Sequence, residues 1–218
     1  MPYSKNDIDR ITDLVSEIES RKEHSNAAAT YKDVPALREI DRIVSAQLGI
    51  KPHDCDTLED SIGAMRYLGN SFEYMWRIAY ANQYYKKLLE LQAELFRRFD
   101  RKVEEIRNDY YVALRARNYY GPDRCDDLVE TAKELLSEDE RKKIEKKIFE
   151  DFHPLKHDPV ELTKPYLSVI DKVEQLMDTE EIKSMHHFQR NDVFRGLLRE
   201  YGVEWRPMTE LNPGVHFD

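Results

Sequence analysis

The stretch NSFEYMWRIAYANQYYKKLLELQAELFRRFDRKVEEIRNDYYVALRARNYY, residues 70–120, contains no glycine and no proline, and Gly121-Pro122 closes it. Glycine and proline are the residues that most often end a helix. Within the stretch Leu88, Leu91, Leu95, Phe99, Val103, Ile106, Tyr110 and Leu114 recur every three or four residues. That spacing puts side chains on one helical face and lies close to the heptad spacing of a coiled-coil seam. The pattern predicts one very long central helix over about 70–120. At ~1.5 Å per residue it would run ~75 Å, whereas a compact domain of this length is only about 40–50 Å across. Such a helix either protrudes or kinks. Its apolar seam then needs a cover: other helices of the chain, a second copy, or another protein.

Shorter helices are expected on both sides. Ser4 with Asp7 opens the first, and Ile8, Ile11, Leu14, Val15 and Ile18 share its face. Residues 23–31 lose the period and read as a loop. Asp33 and Pro35 start the next helix, which Gly49 stops. Thr57 with Asp60 marks a third start, before Ile62, Met65 and Leu68. Beyond Gly121-Pro122, Leu128, Val129, Ala132, Leu135 and Leu136 give a short helix, and Ser137 with Glu140 forms a capping box for another. Asp158 and Thr163 compete to open the next one. Thr163 is favoured, because Pro165 inside a helix begun at Asp158 would cost a backbone hydrogen bond. Thr179 opens the last, stopped by Gly202. The expected fold is all-α, an irregular bundle of about seven helices in a single domain over 1–203. Residues 204–218 form a mixed tail in which Trp205, Leu211, Val215 and Phe217 alternate with prolines and glycine. It is too apolar to lie free in water and is expected to dock on the domain or on a partner.

The composition agrees with this class. A chain of 218 residues can bury a core without disulfides or metal. Only 7 glycines and 9 prolines argue against a turn-rich β-sandwich. The net charge of −9 argues against broad nucleic-acid binding. Cys55 and Cys125 stand far apart, with neither disulfide-framework nor zinc-finger spacing. The first residues lack the apolar core of a signal peptide, and no run approaches the ~18 apolar residues of a membrane span. A soluble, cytoplasmic protein is expected.

Several constellations could carry chemistry. Glu150-x-x-His153 has the carboxylate–histidine spacing of helical di-iron bundles, although such a site needs a second motif and two more glutamates. With His157 it makes a three-ligand set for one metal ion, while a histidine at a helix C-terminus is also a favourable cap. His53-Asp54 and His157-Asp158 resemble the His-Asp doublet of metal-dependent phosphohydrolases of the HD type. The resemblance covers only those residues and implies metal-assisted attack on a phosphorylated or nucleotide substrate. Asp126-Asp127-x-x-Glu130 resembles the magnesium-holding pattern of helical prenyl-diphosphate enzymes, yet acidic residues also suit a helix's first turn on their own. Glu104-Glu105 with Asp109 is similar to part of the acidic set of helical nucleotide pyrophosphohydrolases. The sequence holds no GxSxG, no GxxxxGK[ST] and no GxGxxG, and no cofactor is expected.

Between Met65 and Tyr120 eleven basic residues outnumber seven acidic ones, and tyrosines lie among them. Basic and aromatic side chains together suit single-stranded nucleic acid. They equally suit helix packing, with arginine heads on acidic neighbouring helices and tyrosine rings half-buried. The second reading is preferred, because a nucleic-acid domain is usually basic throughout. The expected function is a non-enzymatic interaction protein: an adapter, or a regulatory or structural subunit of a larger assembly. Partner contacts are expected at Tyr84, Tyr85, Leu95, Arg98, Phe99 and Arg101 of the long helix and at Trp205, Leu211 and Phe217 of the tail. The alternatives are a metal-dependent phosphohydrolase built on His53, Asp54, His153, His157 and Asp158, and a nucleic-acid-associated factor using Arg97 and Arg101.

Overall fold

The computed structural model describes residues 3–25 and 31–216. Regular structure among them is all helical. Eleven α-helices run in the order α1 (Lys5–Ser25), α2 (Val34–Leu48), α3 (Cys55–Tyr74), α4 (Ile78–Phe99), α5 (Ile106–Asn118), α6 (Asp126–Ala132), α7 (Glu138–Phe149), α8 (Lys164–Met177), α9 (Glu180–Ser184), α10 (His187–Glu200) and α11 (Met208–Leu211). They form two compact units. Unit 1 comprises Met1–Ala116 with Cys125–Phe152, and unit 2 comprises Arg117–Arg124 with His153–Asp218. No helix among the described residues is long and apolar enough to cross a membrane.

The single helix expected over about 70–120 is instead the end of α3, all of α4 and α5, and two breaks. At the first break Arg77 N–H donates to Phe72 O and Trp76 N–H donates to Glu73 O, both at 2.9 Å. These two bonds make a Schellman motif, which needs a left-handed residue and normally takes glycine. Trp76 fills that place at φ 59°. At the second break Asp100, at φ 52° and ψ 34°, ends α4 and donates its N–H to Phe96 O. Aspartate is one of the few side chains that visits this region. The consequence is a seam that folds back on itself: α3 and α4 pair as an antiparallel hairpin, and Leu88, Leu91, Leu95, Tyr110 and Leu114 are all buried in unit 1.

The hairpin is tight because of one residue. A Cβ built on Gly69 of α3 would lie 2.6 Å from Cε1 of Tyr85 on α4. Tyr85 is fully buried, and its hydroxyl donates to Glu73 Oε2 at 2.6 Å and lies 2.8 Å from the Asn70 side-chain amide. Next to it Phe72 stacks on Tyr84 at 5.3 Å, and the Arg38 guanidinium sits 4.1 Å over Tyr80. Further along, the fully buried Asp109 of α5 accepts from Arg66 Nε at 2.8 Å, Arg66 Nη2 at 2.7 Å and Gln92 Nε2 at 2.5 Å. One carboxylate thus ties α3, α4 and α5 together.

Several of the expected caps form. Ser4 Oγ accepts from Asp7 N–H before α1, and Ser137 with Glu140 makes the full capping box of α7. The start at Thr57 differs: Asp54 is the cap of α3, its side chain accepting from Thr57 N–H at 2.8 Å. Asp158 caps a short 3-10 turn, its side chain accepting from Val160 N–H, and Thr163 stands at the start of α8 with its hydroxyl turned back to Val160 O. The helix opened by Thr179 stops at Ser184, and α10 begins separately at His187. In unit 2, α8 packs on α10.

Candidate docking groove

Of the six side chains expected to meet a partner along the long helix, Tyr84, Tyr85 and Leu95 are inside, Phe99 is half-buried, and Arg98 and Arg101 are exposed. Tyr84 is 6% exposed, and Tyr85 and Leu95 are not exposed at all, so they belong to the core that covers the seam rather than to a surface. Arg98 is spent on Glu94 at 2.9 Å and on His53 O at 2.6 Å, with its guanidinium 5.0 Å over Phe99. Arg101 binds Glu59 at 2.8 Å and approaches Cys55 Sγ at 3.2 Å. Four more basic residues of the stretch face acidic groups of this chain, Arg97 on Glu134, Lys86 on Asp127, Arg115 on Glu73, and Arg107 on Glu140, while Lys102 and Arg117 donate to backbone carbonyls.

The tail candidates fall in unit 2. Trp205 Nε1 donates to Glu161 Oε1 at 2.8 Å, and its ring meets Phe194 edge-on at 4.9 Å. Leu211 is half-buried in α11, and Phe217 lies outside the described residues. Glu161 is the centre of this cluster, since Tyr120 O–H also donates to it and His157 Nδ1 lies 3.1 Å away. Its buried carboxylate pushes the Tyr120 hydroxyl up, after burial itself. Sequence reading missed Glu161, because nothing local distinguishes it from an ordinary surface glutamate.

The metal candidates do not assemble. Among the described residues the one group of three or more clustered ligand atoms is Cys55, Asp56 and Glu59, not Glu150, His153 and His157. In that group the Arg101 guanidinium bridges Cys55 and Glu59, where a cation would stand. His53 is buried with both ring nitrogens in use, Nδ1 on Glu94 and Nε2 on Leu48 O, each at 2.9 Å. Asp54 and Asp158 are helix caps. Of the prenyl-type acidic set, Asp127 pairs with Lys86 and Glu130 with Lys133.

Unit 1 has an open apolar slot between α1 and α3. Ile8, Ile11, Thr12 and Val15 of α1 form one wall, and Glu59, Asp60, Gly63, Ala64 and Tyr67 of α3 form the other. Tyr3 and Ile40 of α2 complete its lining, and its volume is about 410 Å³. Its origin is readable in the helices. Leu14 and Ile18 turn α1's best apolar stripe into the core, which leaves Ile8, Ile11 and Val15 on the flank, with Ile8 47% exposed. Opposite them the middle of the α3 wall, between Asp60 and Tyr67, is Gly63 and Ala64. A Cβ added at Gly63 would meet nothing within 4 Å, so no side chain fills the space.

The slot is acidic at one end. The first turns of α3 carry Asp54, Asp56, Glu59 and Asp60. Asp54 is engaged as the cap and Glu59 by Arg101. Asp60 pairs with no cation among the described residues. Partial burial, and then repulsion from Asp56, Glu59 and Asp54, holds its carboxyl above the ordinary value. Tyr3 O–H with Ser61 Oγ (2.8 Å) and Tyr67 O–H on Glu19 (3.1 Å) fix the two tyrosines that border the slot. The visible signal in the sequence is Gly63-Ala64 one helical turn after Glu59-Asp60.

Comparison of the chain with protein-family models, with curated proteins and with solved structures gives no match.

Proposed function

We propose that this chain is a non-enzymatic interaction protein, a subunit or adapter, whose docking surface is the slot between α1 and α3 of unit 1. The observation that carries the reading is an open apolar space with no side chain of its own to fill it, walled by the exposed flank of an amphipathic helix. Unfilled concave apolar surface is the usual mark of a recognition site. The seam of the 70–120 stretch, buried within unit 1, leaves this slot as the better place for a partner. Cys55 and Cys125, neither in a disulfide, suit a reducing compartment such as the cytoplasm.

The hydrolase alternative is the weaker one because His53, Asp54 and Asp158 already serve the fold, His53 through both ring nitrogens and the aspartates as caps. The nucleic-acid alternative loses most of its cations to acidic side chains of the same chain.

The test is Gly63→Trp, whose Cβ meets nothing within 4 Å and whose indole is meant to occupy the slot. Tagged wild-type and variant proteins are purified from the host at low salt and compared for stoichiometric companions. The reading expects a companion on the wild type that is absent from the variant, with equal helical content by circular dichroism. The same companions on both, or none on either, overturns it.

A further inference from the structure

Building on the docking reading, we infer that the slot receives a basic amphipathic helix from a different protein, with apolar side chains in the cleft and a lysine or arginine on Asp60. At about 410 Å³ the space holds a few side chains and not a whole helix, whose diameter is about 10–12 Å. A helix laid across it would insert anchors spaced three or four residues apart, the helix-in-groove mode of peptide recognition. Ile8, Ile11 and Val15 supply an apolar wall for such anchors, and Gly63 and Ala64 let them approach the α3 backbone.

The charge of the occupant follows from the acidic end. Four carboxylates stand within the first turns of α3, and among the described residues the Arg101 guanidinium on Glu59 is already shared with Cys55. Asp60 therefore faces the slot beside like charges and without a counterion among the described residues. An incoming cation relieves that repulsion, and an incoming carboxylate adds to it. Complementarity of this kind sets which partner is accepted as much as how tightly it binds.

A second copy of this chain is a poor occupant. Its basic helix is α7, with exposed Lys142, Lys143, Lys146 and Lys147, but the apolar side of that helix turns inward, with Ile148 fully buried in its own unit. Its lysines are largely engaged at home, Lys142 with Glu138, Lys146 with Glu150 and Lys147 over Tyr111.

The experiment is selection of a random peptide library displayed on phage against the full chain, with Gly63→Trp as the counter-selection. Enriched peptides are then synthesised and titrated by fluorescence anisotropy. The expected result is a set with paired apolar residues three or four apart and a net positive charge. Their affinity should fall about tenfold or more in Asp60→Lys, a surface change that leaves the core untouched, and should weaken with salt. Slot-dependent peptides that are neutral or acidic would overturn the basic occupant while leaving the docking reading intact. No slot-dependent enrichment would overturn both. Self-association of the wild type in sedimentation, abolished by Gly63→Trp, would make a second copy the occupant and overturn this inference.

Discussion

Replacing Gly69 with alanine drives a methyl group into the ring of Tyr85. The added Cβ would lie 2.6 Å from Cε1 and 2.8 Å from Cδ1, well inside contact distance. The ring cannot swing aside cheaply, because it is fully buried and its hydroxyl is held by Asn70 and Glu73. Overpacking of this kind costs about 1–3 kcal/mol. Alanine returns part of that, since it is a better helix former than glycine by roughly 0.5–1 kcal/mol. The net expectation is a loss of up to ~2 kcal/mol, or several degrees of melting temperature at about 2–4 °C per kcal/mol. Gly63→Ala is the control on the same helix. Its Cβ meets nothing, so it should keep the propensity gain and stabilise by up to ~1 kcal/mol. Urea unfolding of the two variants, followed by circular dichroism, gives both numbers. Equal shifts, or stabilisation by Gly69→Ala, would refute the close α3–α4 approach.

Asp109→Ala removes the carboxylate that joins Arg66 and Gln92, and it should cost about 3–5 kcal/mol, read as a lower urea midpoint. Glu161→Ala strands the Tyr120 hydroxyl and the Trp205 indole N–H, with a loss of about 1–3 kcal/mol in the unfolding of unit 2, monitored by Trp205 fluorescence. Glu140 is held down to about 2, from an ordinary 4.5, by the Ser137 hydroxyl, Arg107 and the Ser137 amide. Its folded value lies below its unfolded one, so its stabilisation is complete above about pH 4.5 and is lost as the pH falls toward about 2. Glu140→Gln should flatten the fall of melting temperature across that window, and an unchanged slope would remove Glu140 from the account.

The helical class was legible because capping residues and apolar spacing act locally: Ser137 with Glu140, Thr163 and Gly121-Pro122 all mark boundaries that the chain uses. The breaks at Trp76 and Asp100 were not legible. Both stand in the left-handed region without being glycine, so a search for glycine and proline runs past them. Their conformations are imposed by tertiary packing, which rewards a hairpin that buries Tyr85 and Leu95 more than a straight helix that leaves a seam in water. The basic and aromatic character of the stretch was visible, and so was its pairing with acidic helices as one of two readings. Which carboxylate each arginine meets depends on contacts between residues far apart in sequence, such as Arg66 with Asp109 and Arg97 with Glu134. The slot was hidden for a related reason. Gly63 in a helix reads as a weak point, and only the flank of α1 opposite it turns that missing side chain into a space.

The most direct test of the docking account is site-specific photo-crosslinking in the host's own cells. A benzophenone amino acid at Thr12, on the wall of the slot, is compared with one at Lys142, on the exposed side of α7 in the same unit. The account predicts a discrete crosslinked partner from Thr12, lost when Gly63→Trp is added, and none of that species from Lys142. No crosslink from Thr12, or the same species from both positions, would contradict it.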